Sequence, residues 1–244
     1  MLILVFLIGK IPIKENIGLS EFTSEKLEKI ILYSAIVALS VIIINRFRIP
    51  HSYFHAIELK KYLYYLPVIL CIYLYTGGFG DINTVDSSTI YSWKGILLGM
   101  STLSSGMFEE VLSRGLILGV LLNRYHNSKH GIVKSVIISC LIFGLIHIVN
   151  IWTKDQSLRG TFNQVYAAFS LGILYSAVYL KTKSLIILGG LHTVHNFLGS
   201  LPELTNSAII INSTGNKTVF EILLSSILVL LIFGIPLVMG FLIL

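Results

Sequence analysis

The chain has 244 residues, of which 55% are hydrophobic and 12% charged, and its mean hydropathy is +0.83. Soluble domains carry charge on about a quarter of their residues, so the composition excludes a soluble globular protein and implies one integral membrane domain. The net charge of +6 does not imply a nucleic-acid partner, because the Lys and Arg residues fall between apolar runs, where loop charges orient a membrane protein.

The opening MLILVFLIG is apolar but short. It has no basic segment before it and no small-residue cleavage site after it, which predicts a partial or interfacial helix rather than a removed signal peptide. Apolar runs that cross or nearly cross a bilayer follow at 30–45, 61–76, 93–124, 131–152, 161–180, 184–200 and 220–244. They predict an all-α, polytopic transmembrane bundle of seven to eight spans around a buried polar site. The run 93–124 is too long for one straight span, and a break is expected at Ser104, Ser105 and Gly106. At membrane depth a broken helix is tolerated only where it lines a cavity or is covered by protein, so the break itself points to a site.

The loops at 46–61, 124–134 and 181–183 carry Arg46, Arg48, Lys60, Lys61, Arg124, Lys129, Lys134, Lys181 and Lys183, whereas the alternate loops are poorer in basic residues. This asymmetry puts the basic loops and the C-terminus in the cytoplasm. Lys10, Lys14, Lys26 and Lys29 fall on the opposite side and must be offset by neighbours such as Glu25. By the same count His147 lies nearer the outer end of its span than Glu109 does in its own. Cys71 and Cys140 sit in different apolar runs and read as small buried side chains rather than a disulfide or a metal pair.

Ionisable residues inside spans are costly, and they mark function by default. In FEEVLSRG at 108–115, Glu110 and Arg114 are spaced i, i+4 and can pair on one face, while Glu109 points about 100° away. One glutamate is then held by the arginine and the other is free for chemistry. In FGLIHIVN, His147 stands one turn after Phe143, with Asn150 nearer the interface. In GGLHTVHNF, His192 and Asn196 share a face, His195 lies close to it, and Gly189 and Gly190 allow another helix near. A seam of hydrogen bonds between helices is the bland reading. Three spans that each need polar partners are most cheaply satisfied by converging on one buried site.

A carboxylate, two imidazoles and a carboxamide suit hydrolysis by an activated water. Glu109 serves as general base, His147 holds the same water, and His192 and Asn196 donate to the oxyanion on a peptide carbonyl. The same residue types allow a second chemistry, with Glu109, His147 and His192 as a two-His, one-Glu set for a divalent metal such as zinc and an open position for water. Residue types do not separate the two, and the chain carries no HExxH or GxSxG motif.

EEVLSR at 109–114, Phe143-x-x-x-His147 and His192-x-x-x-Asn196, in this order and each in its own apolar run, resemble the EExxxR, FxxxH and HxxxN motifs of the CPBP family, the CAAX-protease and bacteriocin-processing (Abi) intramembrane proteases. Ser184-Leu185 before the third motif and Gly172 in the preceding span add to the likeness. Ser113 and Gly189 depart from the aromatic and branched residues usual there. The resemblance covers roughly 90–200. It divides the chain into motif-free N-terminal membrane segments (1–89), a CPBP/Abi-like catalytic core (90–200), and a loop with a C-terminal transmembrane helix (201–244).

The resemblance implies an intramembrane endopeptidase in which Glu109, His147, His192 and Asn196 match catalytic positions and Glu110 and Arg114 a supporting pair. It leaves open a metallo- or a glutamate-dependent mechanism. The expected partners are the lipid bilayer and a membrane-associated peptide or protein, with no nucleic acid. The expected setting is a bacterial cytoplasmic membrane, in peptide maturation, signalling or bacteriocin immunity. The alternative reading is a non-proteolytic membrane-embedded immunity or scaffold protein that binds a peptide or protein in the same cavity and is blocked by bulk at Gly189 or Gly190.

Overall fold

In a computed structural model, residues 19–49, 62–75, 85–153, 157–204 and 234–244 are described. Among them every regular element is helical. The helices are α1 (Glu21–Arg46), α2 (Leu66–Tyr75, entered through a 3-10 turn at Leu63–Tyr65), α3 (Trp93–Glu110), α4 (Gly119–Tyr125), α5 (Gly131–Ile146), α6 (Leu158–Thr182), α7 (Leu185–Gly199) and α8 (Gly234–Ile243). Glu21–Arg46, Gly131–Val149 and Leu158–Thr182 are long and apolar enough to cross a membrane. Leu63–Leu74, Leu185–Gly199 and Gly234–Ile243 are shorter apolar helices. The expected N-terminal helix and the first part of the run 220–244 lie outside the described residues.

The helix ends follow local chemistry. Ser20 caps α1 by accepting from the Thr23 amide at 3.3 Å, and Glu21 and Arg46 sit at the ends where the helix dipole favours their charges. Ser157 and Ser184 cap α6 and α7 in the same way. Between those two helices the chain reverses through Lys183, a left-handed residue (φ 56°) whose amide returns to the Tyr179 carbonyl at 2.7 Å.

The expected break at Ser104–Gly106 does not occur. Helix α3 runs unbroken through those residues, and the irregularity comes after the glutamates, as π-helical turns over Val111–Leu118 that lead into α4. The three small residues serve other ends. Ser104 bonds back to the Ser101 carbonyl at 2.8 Å, and a Cβ on Gly106 would lie 2.7 Å from the Thr193 nitrogen, so glycine there lets α7 lie against α3. π-helical turns widen the helix and recur at functional sites. Here they carry Ser113 and Arg114 into the bundle, where both are 1% exposed. The Ser113 carbonyl accepts the Ser139 hydroxyl of α5 at 3.2 Å.

Leu118, Val136, Leu171, Leu174, Val178, Leu185 and Leu188 form the shared core of the π-helical turns and α5 to α7. Ile42, Phe47, Ile132, Leu145 and Phe162 point outward, a surface suited to lipid. Cys71 and Cys140 are buried free thiols, as the sequence led us to expect.

Two relations bear on the topology read from charge. Lys26 is buried and paired with Glu25 and with Glu203 of the 3-10 turn Leu201–Leu204, so the start of α1 and the end of α7 meet at one level, and the carboxylates offset this lysine. The difference in depth between Glu109 and His147 also disappears. Glu109 stands sixteen residues before Tyr125, the last residue of α4, and His147 sixteen after Gly131, the first of α5. In a helical hairpin closed by a short turn, equal offsets give equal depth, roughly 24 Å from the turn for ideal helices.

Candidate active site

The EExxxR segment ends α3 and enters the π-helical turns, and it presents its two glutamates differently. Glu110 is fully buried. Its Oε1 accepts from Arg114 Nη1 at 3.0 Å, and it lies 2.7 Å from Nδ1 of His192. Arg114 also donates through Nη2 to the carbonyl of Gly172 at 3.1 Å. Its guanidinium lies 5.0 Å from the Phe143 ring and 5.5 Å from the Tyr175 ring, both within cation–π range. A side chain at position 172 would press on Cys140 at 3.2 Å and on Nη2 at 3.5 Å, so glycine there keeps the carbonyl open to the arginine. Four partners from three helices, His192, Gly172, Phe143 and Tyr175, thus hold the second glutamate and its arginine.

Glu109 is different: 19% of its side chain remains accessible. Its Oε1 accepts from Ser105 Oγ at 3.0 Å and from Asn196 Nδ2 at 3.4 Å, and its Oε2 lies 3.3 Å from Nε2 of His192. Arg114 pairs with Glu110 and not with Glu109, while helix α7 brings His192 and Asn196 onto the Glu109 carboxylate. His192 therefore sits between the two glutamates, one ring nitrogen on each. An imidazole can donate on both sides only as the imidazolium, or on one side if a carboxyl oxygen keeps a proton on the other. Tyr175 and Phe143 meet the His192 ring edge-on, with centroids at 5.4 and 6.5 Å.

His147 follows α5 in a 3-10 turn. Its Nδ1 lies 2.9 Å from the Phe143 carbonyl one turn earlier, and the two rings are T-shaped at 5.2 Å. With Nδ1–H donated to that carbonyl, the neutral ring keeps the lone pair of Nε2. Asn150 belongs elsewhere, since it donates to Gln164 at 2.8 Å and joins the end of α5 to α6. The ring of His195 stacks near His192 at 6.2 Å.

The fold therefore brings Glu109, Glu110, Arg114, His192 and Asn196 into one hydrogen-bonded cluster, with His147 beside it through Phe143. It does not arrange the residues for a metal. Among the described residues no three His, Cys, Asp or Glu side chains gather so as to hold an ion. Of the set Glu109, His147 and His192, the last has both nitrogens turned to carboxylates.

Ser105 and Tyr175 also belong to the cluster, and Tyr33 lies beside it. Ser105 stands one turn before Glu109, and the i, i+4 rule that paired Glu110 with Arg114 marks it equally well. Tyr175 stands three residues after Gly172 on the same face of α6. Tyr33 comes from α1 and stacks on Phe108 at 4.8 Å with the ring planes 2° apart. No local pattern marks it, because its contact is made only when α1 packs on α3.

Residues 91–198 match the family model described as Rce1-like, type II CAAX prenyl endopeptidase. Over this segment the match bears out the resemblance to the CPBP family. All three CPBP motifs lie inside the matched segment, and α1 and α2 lie before it. With three helices of spanning length among the described residues, the chain is a multi-pass membrane protein whose segment 91–198 is similar to a protease family. No curated protein and no solved structure matches the chain significantly.

The two departures from the CPBP pattern have packing counterparts. A Cβ on Gly189 would lie 2.5 Å from Met107 Sδ, so the methionine fills the space of the missing side chain. Bulk at position 189 therefore meets the Met107 side chain of α3 rather than an open cavity. Gly190 has nothing within 4 Å of a Cβ. Ser113 is buried at the close contact of the π-helical turns with α5.

Proposed function

We propose that this protein is an intramembrane endopeptidase that hydrolyses a peptide bond of a membrane-associated peptide by water activated at Glu109. The observation that carries this reading is the contrast between adjacent carboxylates: Glu110 is fully buried, with an arginine and a histidine on it, whereas Glu109 is oriented by three donors and still accessible. A general base needs this combination of fixed geometry and reach to its proton.

Glu109 takes a proton from the water as its oxygen attacks the peptide carbonyl carbon. Nε2 of His147 accepts a hydrogen bond from the same water. The electron pair of the carbonyl moves onto oxygen, and the Asn196 amide stabilises it by turning the hydrogen it holds on Ser105 at 3.4 Å toward that oxygen. The proton held by Glu109 then passes to the departing nitrogen as the C–N bond breaks. His192 keeps Glu109 in place and couples it to the Glu110–Arg114 pair. The similarity to a CAAX prenyl endopeptidase family makes a prenylated CAAX peptide one candidate. We favour a leader or signalling peptide in a bacterial cytoplasmic membrane, for which the Ile-, Lys- and Asn-rich composition speaks.

The test uses wild type, Glu109→Ala and His147→Ala reconstituted in liposomes. Each is incubated with a quenched farnesylated CAAX peptide and with a library of unprenylated membrane-binding peptides, and cleavage is read by fluorescence and mass spectrometry. Cleavage by wild type that is lost in both variants is expected. Equal processing by all three proteins would remove the enzyme reading.

A further inference from the structure

Hydroxyls in helices ordinarily bond back to a carbonyl three or four residues earlier. Thr102, Ser104, Ser135, Thr182 and Thr193 all do so here. Ser105 does not. Its hydroxyl points forward along α3 and donates to Glu109 Oε1 at 3.0 Å, while its oxygen faces Asn196 Nδ2 at 3.4 Å. The same Nδ2 is 3.4 Å from Oε1, which closes a ring of three side chains from two helices.

We infer that Ser105 is the positioning residue for Glu109 and that it decides which carboxylate oxygen does the chemistry. The last torsion of a glutamate is broad and nearly two-fold, so a carboxylate on its own interchanges its oxygens. With the donors Ser105 and Asn196 on Oε1, that oxygen is filled. Oε2 is left facing His192, with a lone pair for a water. Ser105 also gives Asn196 a second partner, which holds the amide beside the base. Gly106 completes the device by letting α7 come near enough for the contact. This inference rests on the reading of Glu109 as the base.

The experiment compares Ser105→Ala, Ser105→Thr and Ser104→Ala with wild type in the same liposomes, using the farnesylated peptide and the unprenylated library, with thermal unfolding in detergent alongside. Ser105→Ala is expected to lower kcat about tenfold to a hundredfold, the worth of one hydrogen bond to a charged group, with KM within about twofold. Ser105→Thr restores most of the loss, Ser104→Ala matches wild type, and all three unfold near the wild-type temperature. Wild-type kcat in Ser105→Ala, no recovery in Ser105→Thr, or a loss that only follows lost folded protein would overturn the positioning role. If wild type itself cleaves nothing that Glu109→Ala leaves intact, the peptidase reading fails instead, and this inference goes with it.

Discussion

His192 lies between two carboxylates, with Nδ1 2.7 Å from Oε1 of Glu110 and Nε2 3.3 Å from Oε2 of Glu109. The ring is thereby the link between a buried, arginine-held glutamate and the accessible one beside it.

That link predicts a graded response at position 110. Glu110→Gln keeps the shape and removes the charge facing His192 and Arg114. We expect kcat to fall about a hundredfold with little change in KM, because the residue does not reach the substrate. Glu110→Ala leaves the Arg114 guanidinium, 1% exposed, without its counter-charge and is expected to cost about 3–5 kcal/mol of stability. Kinetics in liposomes and thermal unfolding in detergent check the two outcomes.

Arg114→Lys is expected to behave as a severe change. The guanidinium reaches Glu110 and the Gly172 carbonyl at once and lies against two aromatic rings, and an ammonium cannot reproduce that planar fork. Loss of the second hydrogen bond and of the ring contacts is expected to cost about 2–4 kcal/mol. A thermal shift equal to that of wild type would contradict it.

Two glycines should respond in opposite ways. Gly106→Val puts a branched side chain where a Cβ already lies 2.7 Å from Thr193, so α7 must move away from α3 and carry His192 and Asn196 off Glu109. Overpacking of this kind costs about 1–3 kcal/mol, and most activity is expected to go with it. Gly190→Ala faces open space and should be neutral or stabilising by up to about 1 kcal/mol. Measuring both variants separates helix approach from mere tolerance of bulk.

Chelation provides a direct check on mechanism. With both His192 nitrogens turned to carboxylates, the proposed hydrolysis by water at Glu109 would proceed without a bound ion, and treatment with 1,10-phenanthroline followed by dialysis should leave the rate unchanged. A loss restored by zinc would instead put Glu109, His147 and His192 on a metal during turnover.

Much of the site can be read from spacing, because both partners of a helical pair lie within one turn of sequence. The Glu110–Arg114 pair and the shared face of His192 and Asn196 follow from i, i+4 geometry alone. Family motifs add His147 to them. Ser105 was legible by the same rule, but the neighbouring Ser104 and Gly106 suggested a broken helix. Gly106 can be explained only by the position of α7, and the widening of the helix at Val111–Leu118 has no composition signal of its own.

The sequence by itself determined that this chain is a helical membrane protein and which polar residues must seek one another inside it, since a bilayer offers apolar stretches no other structure and buried charges no other partners. How completely one glutamate is sealed and how far the other stays within reach was decided by tertiary structure. Adjacent residues of one helix differ by about 100° in direction, and i, i+4 spacing already turns Glu110 toward Arg114, but only the packing of α5, α6 and α7 around that pair buries it fully and leaves Glu109 partly accessible.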